Sequence, residues 1–148
     1  MLWPIRSLIA GVAGTAALSG AYDVDRRLTS PGKGPLDYDD SLVPGQIVCT
    51  VLDLRHVTGK EEDELGLAVR WSYGPMFALA HGLLRRRISE PWAGLAFFAG
   101  LMTMTMTMFP LLGRTPPPWR WPRGYLATSL ATHAAYATTV AVVDDKLR

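Results

Sequence analysis

Charge is distributed along this chain so unevenly that few architectures can accommodate it. Of its 28 charged residues, 15 lie between Asp23 and Glu64, leaving charge-free runs of 16 residues (Ser7 to Tyr22), 23 residues (Pro91 to Gly113) and 20 residues (Gly124 to Val143). A fourth run, Leu65 to Leu84, is interrupted only by Arg70. A bilayer core of about 30 Å is crossed by roughly 20 helical residues rising 1.5 Å each. The pattern therefore predicts an all-α membrane protein: a four-transmembrane-helix bundle, residues 1–148 forming one membrane domain with a polar insert.

The expected spans are about 2–22, 65–84, 91–112 and 123–143, with the insert at 23–64. Span 1 is completed by Leu2, Trp3 and Ile5, with Arg6 snorkelling to the headgroups. Its Ser19-Gly20-Ala21 also fits the cleavage site of a signal peptide. The retained span is preferred, because Ala10, Ala13, Gly14, Ala17 and Gly20 recur at helical spacing and make a smooth face for another helix. Comparable series run through Gly74, Ala78 and Gly82; through Ala93, Ala96, Gly100, Thr103 and Thr107; and through Ala127, Ala131, Ala134, Thr138 and Ala141. Gly14, Ala17, Gly74, Gly100 and Ala134 are the expected helix-packing positions. Within the insert, Ser30 to Asp40 has turn chemistry without apolar periodicity. From Pro44, by contrast, Ile47, Val48, Val51, Leu52 and Leu54 predict a short amphipathic helix. Thr58 and Glu61 form a capping box for the helix that follows.

The two hairpins implied by this order resemble each other. Arg70-Trp71-Ser72-Tyr73-Gly74 aligns with His133-Ala134-Ala135-Tyr136-Ala137, each with a basic side chain three residues before a tyrosine. Ionisable groups inside membranes usually face the bundle interior and partner one another. Arg70, Tyr73, His133 and Tyr136 are therefore the expected intramembrane polar cluster, whether it sets helix register or carries a function. The Tyr-Gly of the second span, Pro110 to Gly113 ahead of the proline-rich turn at Pro116 to Pro118, and a last helix with His133 and Tyr136 resemble small bacterial integral membrane proteins, broadly YagU-like. That resemblance implies a membrane location and no particular chemistry.

Reactive constellations are sparse. The single Cys49 makes neither an internal disulfide nor a multi-thiolate metal site. Met102, Met104, Met106 and Met108 alternate with threonines, but on a helix they form i, i+4 pairs on two faces, and apolar filling is preferred to copper(I) ligation. His81 and His133 lie at different depths, which argues against a shared haem. Asp37, Asp39 and Asp40 lack the glycine and terminal glutamate of a calcium loop. No catalytic, cofactor or metal site is assigned, and no enzyme is expected. The basic residues form no stripe interleaved with aromatics, which excludes a nucleic-acid partner.

The expected partners are the lipid bilayer and a protein in the membrane, either a larger complex or further copies of the chain. The expected function is structural or accessory, with a small transporter or channel using the polar cluster as the alternative. Arg85, Arg86 and Arg87 occupy a short loop that resists translocation, so both termini are expected on the cytoplasmic side of a bacterial plasma membrane.

Overall fold

A computed structural model describes residues 1–28, 43–54, 60–112 and 115–148. Its regular structure is helical throughout: α1 (Trp3–Leu28), α2 (Val43–Val51), α3 (Lys60–Leu84), α4 (Trp92–Leu111) and α5 (Arg123–Lys146), with one 3-10 turn at Pro118–Arg120. The all-α expectation holds, but four spanning helices do not. Among the described residues, only α4 and α5 are long and apolar enough to cross a membrane. The other long helices reach 26 and 25 residues, so length is not what fails. α1 dilutes its apolar content with Ser7, Gly11, Gly14, Thr15, Ser19 and Gly20 and ends in Asp23 to Arg27. α3 opens on Lys60 to Glu64 and carries Arg70, Ser72 and His81. In α4 and α5 only 28% of the apolar window is buried, unlike the core helix of a water-soluble protein.

α1 also runs six residues past the expected boundary at Tyr22. Nothing from Asp23 to Leu28 breaks a helix, and Arg26 and Arg27 in its last turn suit the negative end of the dipole. The short helix expected from Pro44 forms as α2 and packs on α3. It buries Val43, Gly45 and Cys49, whereas Val51, Leu52 and Leu54 stay exposed. Thr58 of the expected capping box lies outside the described residues. In the connector, Trp121 is buried and its indole N–H donates to the Pro116 carbonyl at 2.7 Å, while Trp119 is exposed.

α1 lies antiparallel between α3 and α5, and α4 closes the opposite side of the bundle. The core joins Ala10, Leu18 and Tyr22 of α1 to Ala78 of α3, Phe97 and Leu101 of α4, and Tyr136, Ala137 and Val140 of α5. Glycine makes these approaches close. A Cβ at Gly11 would stand 2.5 Å from the Pro75 carbonyl oxygen and 2.7 Å from its Cα; one at Gly14 would meet Val140 and Tyr136 at 2.6 and 2.9 Å. Gly74 lies against Thr15, and Gly82 against Ser7 and Trp3.

The small-residue stripes divide between inside and outside. Gly74, Ala78 and Gly82 are buried, and Ala10 and Gly14 likewise, with Ala17 half-buried and Gly20 exposed. On α4 the expected stripe turns outward: Ala96, Gly100, Thr103 and Thr107 are exposed, and a Cβ at Gly100 would meet nothing within 4 Å. Gly100 is therefore not a packing position within the bundle. The face that packs is Ala93, Phe97, Leu101, Met102, Thr105 and Phe109, whose larger side chains bury more apolar surface. On α5, Ala127, Ala131 and Thr138 are exposed and Ala134 half-buried, while Ser129, Thr132, Tyr136, Ala137, Val140 and Asp144 face inward.

Gly11→Ala forces α1 away from the α3 backbone and is expected to lower stability by about 1–3 kcal/mol. Gly100→Ala meets open space and removes glycine's helix penalty of roughly 1 kcal/mol. Thermal unfolding in detergent should show a lowered midpoint for the first and an unchanged or raised midpoint for the second.

Candidate functional site

Beneath α2, between α3, α4 and α5, lies a cavity of about 290 Å³. Its wall includes Tyr73, His133 and Tyr136, three of the four residues expected to form the polar cluster. Arg70 is not among them. Its guanidinium is buried over the Tyr22 ring, 4.9 Å from the centroid, so it turns toward α1. His133 correspondingly turns toward α4. Each basic side chain faces the first helix of its own hairpin instead of meeting the other across the bundle.

The polar atoms around the cavity are largely engaged in its wall. The Tyr136 hydroxyl donates to the Gly74 carbonyl at 2.5 Å and ties α5 to α3. His133 Nδ1 lies 2.8 Å from the Ser129 carbonyl, which only accepts, so Nδ1 carries the proton there. In the neutral ring Nε2 is then an acceptor, matched by the Thr105 hydroxyl at 3.1 Å. Tyr73 stacks edge-on against Phe77, ring centroids 5.3 Å apart. Met104 and Met108, an i, i+4 pair as the helical reading expects, complete the wall on α4. What these groups present to the cavity is chiefly hydrocarbon, thioether and ring.

A second arrangement, at the pole where α1 begins and α5 ends, was not foreseen from the sequence. Arg6 Nε donates to Asp144 Oδ1 at 2.8 Å, and the Asp144 side chain is fully buried. The other oxygen, Oδ2, has no hydrogen-bond partner among the described residues, so Arg6 is the group on which that buried charge depends. Beside this pair, His81 Nε2 meets Glu90 Oε1 at 2.7 Å. Glu90 Oε2 accepts the backbone N–H of Gly94 at 3.0 Å, placing negative charge at the start of α4. Arg85 Nε is 3.5 Å from Glu90 Oε1, and its Nη2 donates to Asp145 Oδ1 at 3.0 Å. Arg148 donates to the Arg85 carbonyl at 3.1 Å. All four long helices meet in these contacts. The available signal was that acids and bases bracket each apolar run at this end, Arg6, Arg85, Glu90, Asp144 and Asp145.

Known proteins offer no guide here. No family model, curated protein or solved structure matches this chain. The resemblance to YagU-like proteins therefore stands on the residues quoted above alone.

Among the described residues no three His, Cys, Asp or Glu side chains gather to hold a metal ion. Chemically, the pole binds helix ends together by charge, and the cavity offers an apolar enclosure with a few fixed dipoles.

Asp144→Ala strands Arg6 against the buried end of α5. It is expected to destabilise the fold by about 3–5 kcal/mol, whereas Arg6→Met with Asp144→Leu recovers much of the loss because neither charge is then left unpaired. Denaturant unfolding of Asp144→Ala and of the double variant checks this; a double variant no better than Asp144→Ala would refute the pairing.

Proposed function

We propose that this protein is a structural or accessory component of a bacterial plasma membrane, packing with a protein partner or with further copies of itself. The observation that carries this reading is that α4 and α5, besides their share of the apolar core, bury polar side chains and leave large apolar ones outside. Thr105, Ser129, Thr132 and Asp144 on these two helices are buried, while Leu95, Leu111, Leu130 and Val142 are exposed. In water the opposite sorting is favoured. In a bilayer an apolar exterior costs nothing, and helix association rests on small residues and internal hydrogen bonds.

α4 and α5 are the spanning pair in this reading. The end that gathers Arg6, Arg85, Arg86, Arg87, Lys146 and Arg148 is cytoplasmic, following the preference of short basic loops for that side. Both termini lie at that end. The outward stripe of Ala96, Gly100, Thr103 and Thr107 on α4 supports packing against a further helix, since small residues let backbones approach closely. The competing reading, a transporter built on Arg70, Tyr73, His133 and Tyr136, has less support. Arg70 faces away from the cavity, and the polar atoms of His133 and Tyr136 are bonded within its wall.

Gentle detergent extraction followed by mass measurement of the intact assembly tests the proposal. The expected mass exceeds that of one chain. Gly100→Leu is expected to reduce it to the single chain without lowering that chain's own stability, since a glycine facing open space is replaced by a better helix former. A wild-type chain that is solitary under these conditions would overturn the accessory reading.

A further inference from the structure

The cavity under α2 has a definite chemical character that the accessory role does not require. We propose that it is a binding site for one hydrocarbon chain of a membrane lipid, an inference that rests on the membrane reading above. Its volume of about 290 Å³ is roughly twice that of a buried apolar cavity, about 150 Å³, that takes up benzene. It sits at the lower edge of the ~300–1,000 Å³ range of small-molecule sites. That space suits one flexible chain and not a bulky ring system.

The lining selects the occupant. Leu101, Phe109, Val69 and Phe77 contribute hydrocarbon, and Met104 and Met108 contribute flexible thioethers that adapt to a chain without one fixed shape. His133 and Tyr136 are the wall's conspicuous polar residues. With Nδ1 donating to Ser129, Nε2 accepting from Thr105, and the Tyr136 hydroxyl donating to Gly74, they hold the wall rigid and offer little to a polar ligand. A sugar, nucleotide or ion would lose its hydration there without replacement. A hydrocarbon chain has no such loss.

Access comes from the side. Met108 and Leu112 on the rim are exposed, and Ile47 and Val48 of α2 are half-buried above it. Leu111 adjoins the lining residue Leu112 in the chain, and Val51 and Leu52 follow the lining residue Val48 by one turn; all three are exposed. A chain entering beside Met108 and Leu112 meets apolar side chains, with Pro44, Ile47 and Val48 of α2 on the other side of the cavity.

The test uses the full chain in phosphatidylcholine vesicles containing a phosphatidylcholine with a diazirine at the end of one acyl chain, followed by irradiation and mass-spectrometric location of adducts. Leu101, Phe109 and Tyr136 line the cavity but are buried, so bulk lipid does not reach them. Leu95, Leu130 and Val142 are exposed and report lipid contact independently. Adducts are expected at both sets. Met104→Trp, which fills the cavity from α4, and Val69→Phe, which fills it from α3, should each abolish adducts at Leu101, Phe109 and Tyr136 while preserving those at Leu95 and Leu130; circular dichroism identifies the variant that keeps its fold. Adducts confined to Leu95, Leu130 and Val142 in the wild type would overturn the cavity proposal and leave the membrane reading intact. Cavity adducts that persist in a folded, filled variant would likewise overturn it. No adducts at either set would overturn both.

Discussion

The close approach of α1 to two neighbours at once is the constraint on which the rest of the bundle depends. Gly11 lies against the backbone of Pro75, and Gly14 against Tyr136 and Val140, so α3 and α5 are both drawn onto one helix. The contact is reciprocal: Gly74 and Gly82 on α3 receive Thr15 and Ser7. With side chains this small, dispersion acts between backbones at short range and little apolar area is available per contact. Binding α1 so tightly to α3 and α5 leaves α4 to close the other side, and its larger Phe97, Leu101 and Phe109 fill that side incompletely. The cavity is what remains between tight glycine packing and looser aromatic packing.

Polar contacts then fix what packing alone leaves free. Small smooth faces slide along one another easily, so the axial register of α1 needs an independent determinant. It is supplied at both ends, by Arg6 with Asp144 at one pole and by Thr128, whose hydroxyl donates to Asp25 at 2.9 Å, at the other. Between these points the Tyr136 hydroxyl on the Gly74 carbonyl aligns α5 with α3. A buried ion pair is weak support for stability in itself, because desolvation offsets its attraction. Its value is specificity: an offset of one residue would separate Arg6 from Asp144, whose second oxygen has no hydrogen-bond partner among the described residues.

Much of this was legible in the residue order. The charge-free runs located α4 and α5 almost to their ends, and the change of character at Pro44 located α2. Tyr73, His133 and Tyr136 were brought to notice by a weak internal resemblance, and they do share one cavity. Arg70 does not join them, because the aromatic face of Tyr22 on α1 is available to it at 4.9 Å. The four-span expectation failed where charge-free length was equated with apolarity: α1 and α3 are long, yet rich in Gly, Ser, Thr and ionisable residues. Gly100 was assigned to the interior because its stripe has helical spacing, but helical spacing cannot say which way a stripe points.

Taken by itself, the sequence determined that the chain is helical and where most of its long helices lie, because long runs without charge or strand-like alternation satisfy their backbone within themselves. Charge-free length suggested four spans, of which only α4 and α5, among the described residues, prove apolar enough to cross a membrane. Tertiary structure decided how each helix is rotated about its axis. α4 is apolar on nearly every side and α5 spreads its Ser and Thr around its circumference, so no periodicity distinguishes an inner from an outer face. The contacts among Gly11, Gly14, Gly74 and Tyr136, the pairing of Arg6 with Asp144, and the Thr105–His133 bond that joins α4 to α5 turn particular side chains inward. The cavity and the ionic pole follow from those rotations, since both are built by residues far apart in the chain whose proximity no local pattern encodes.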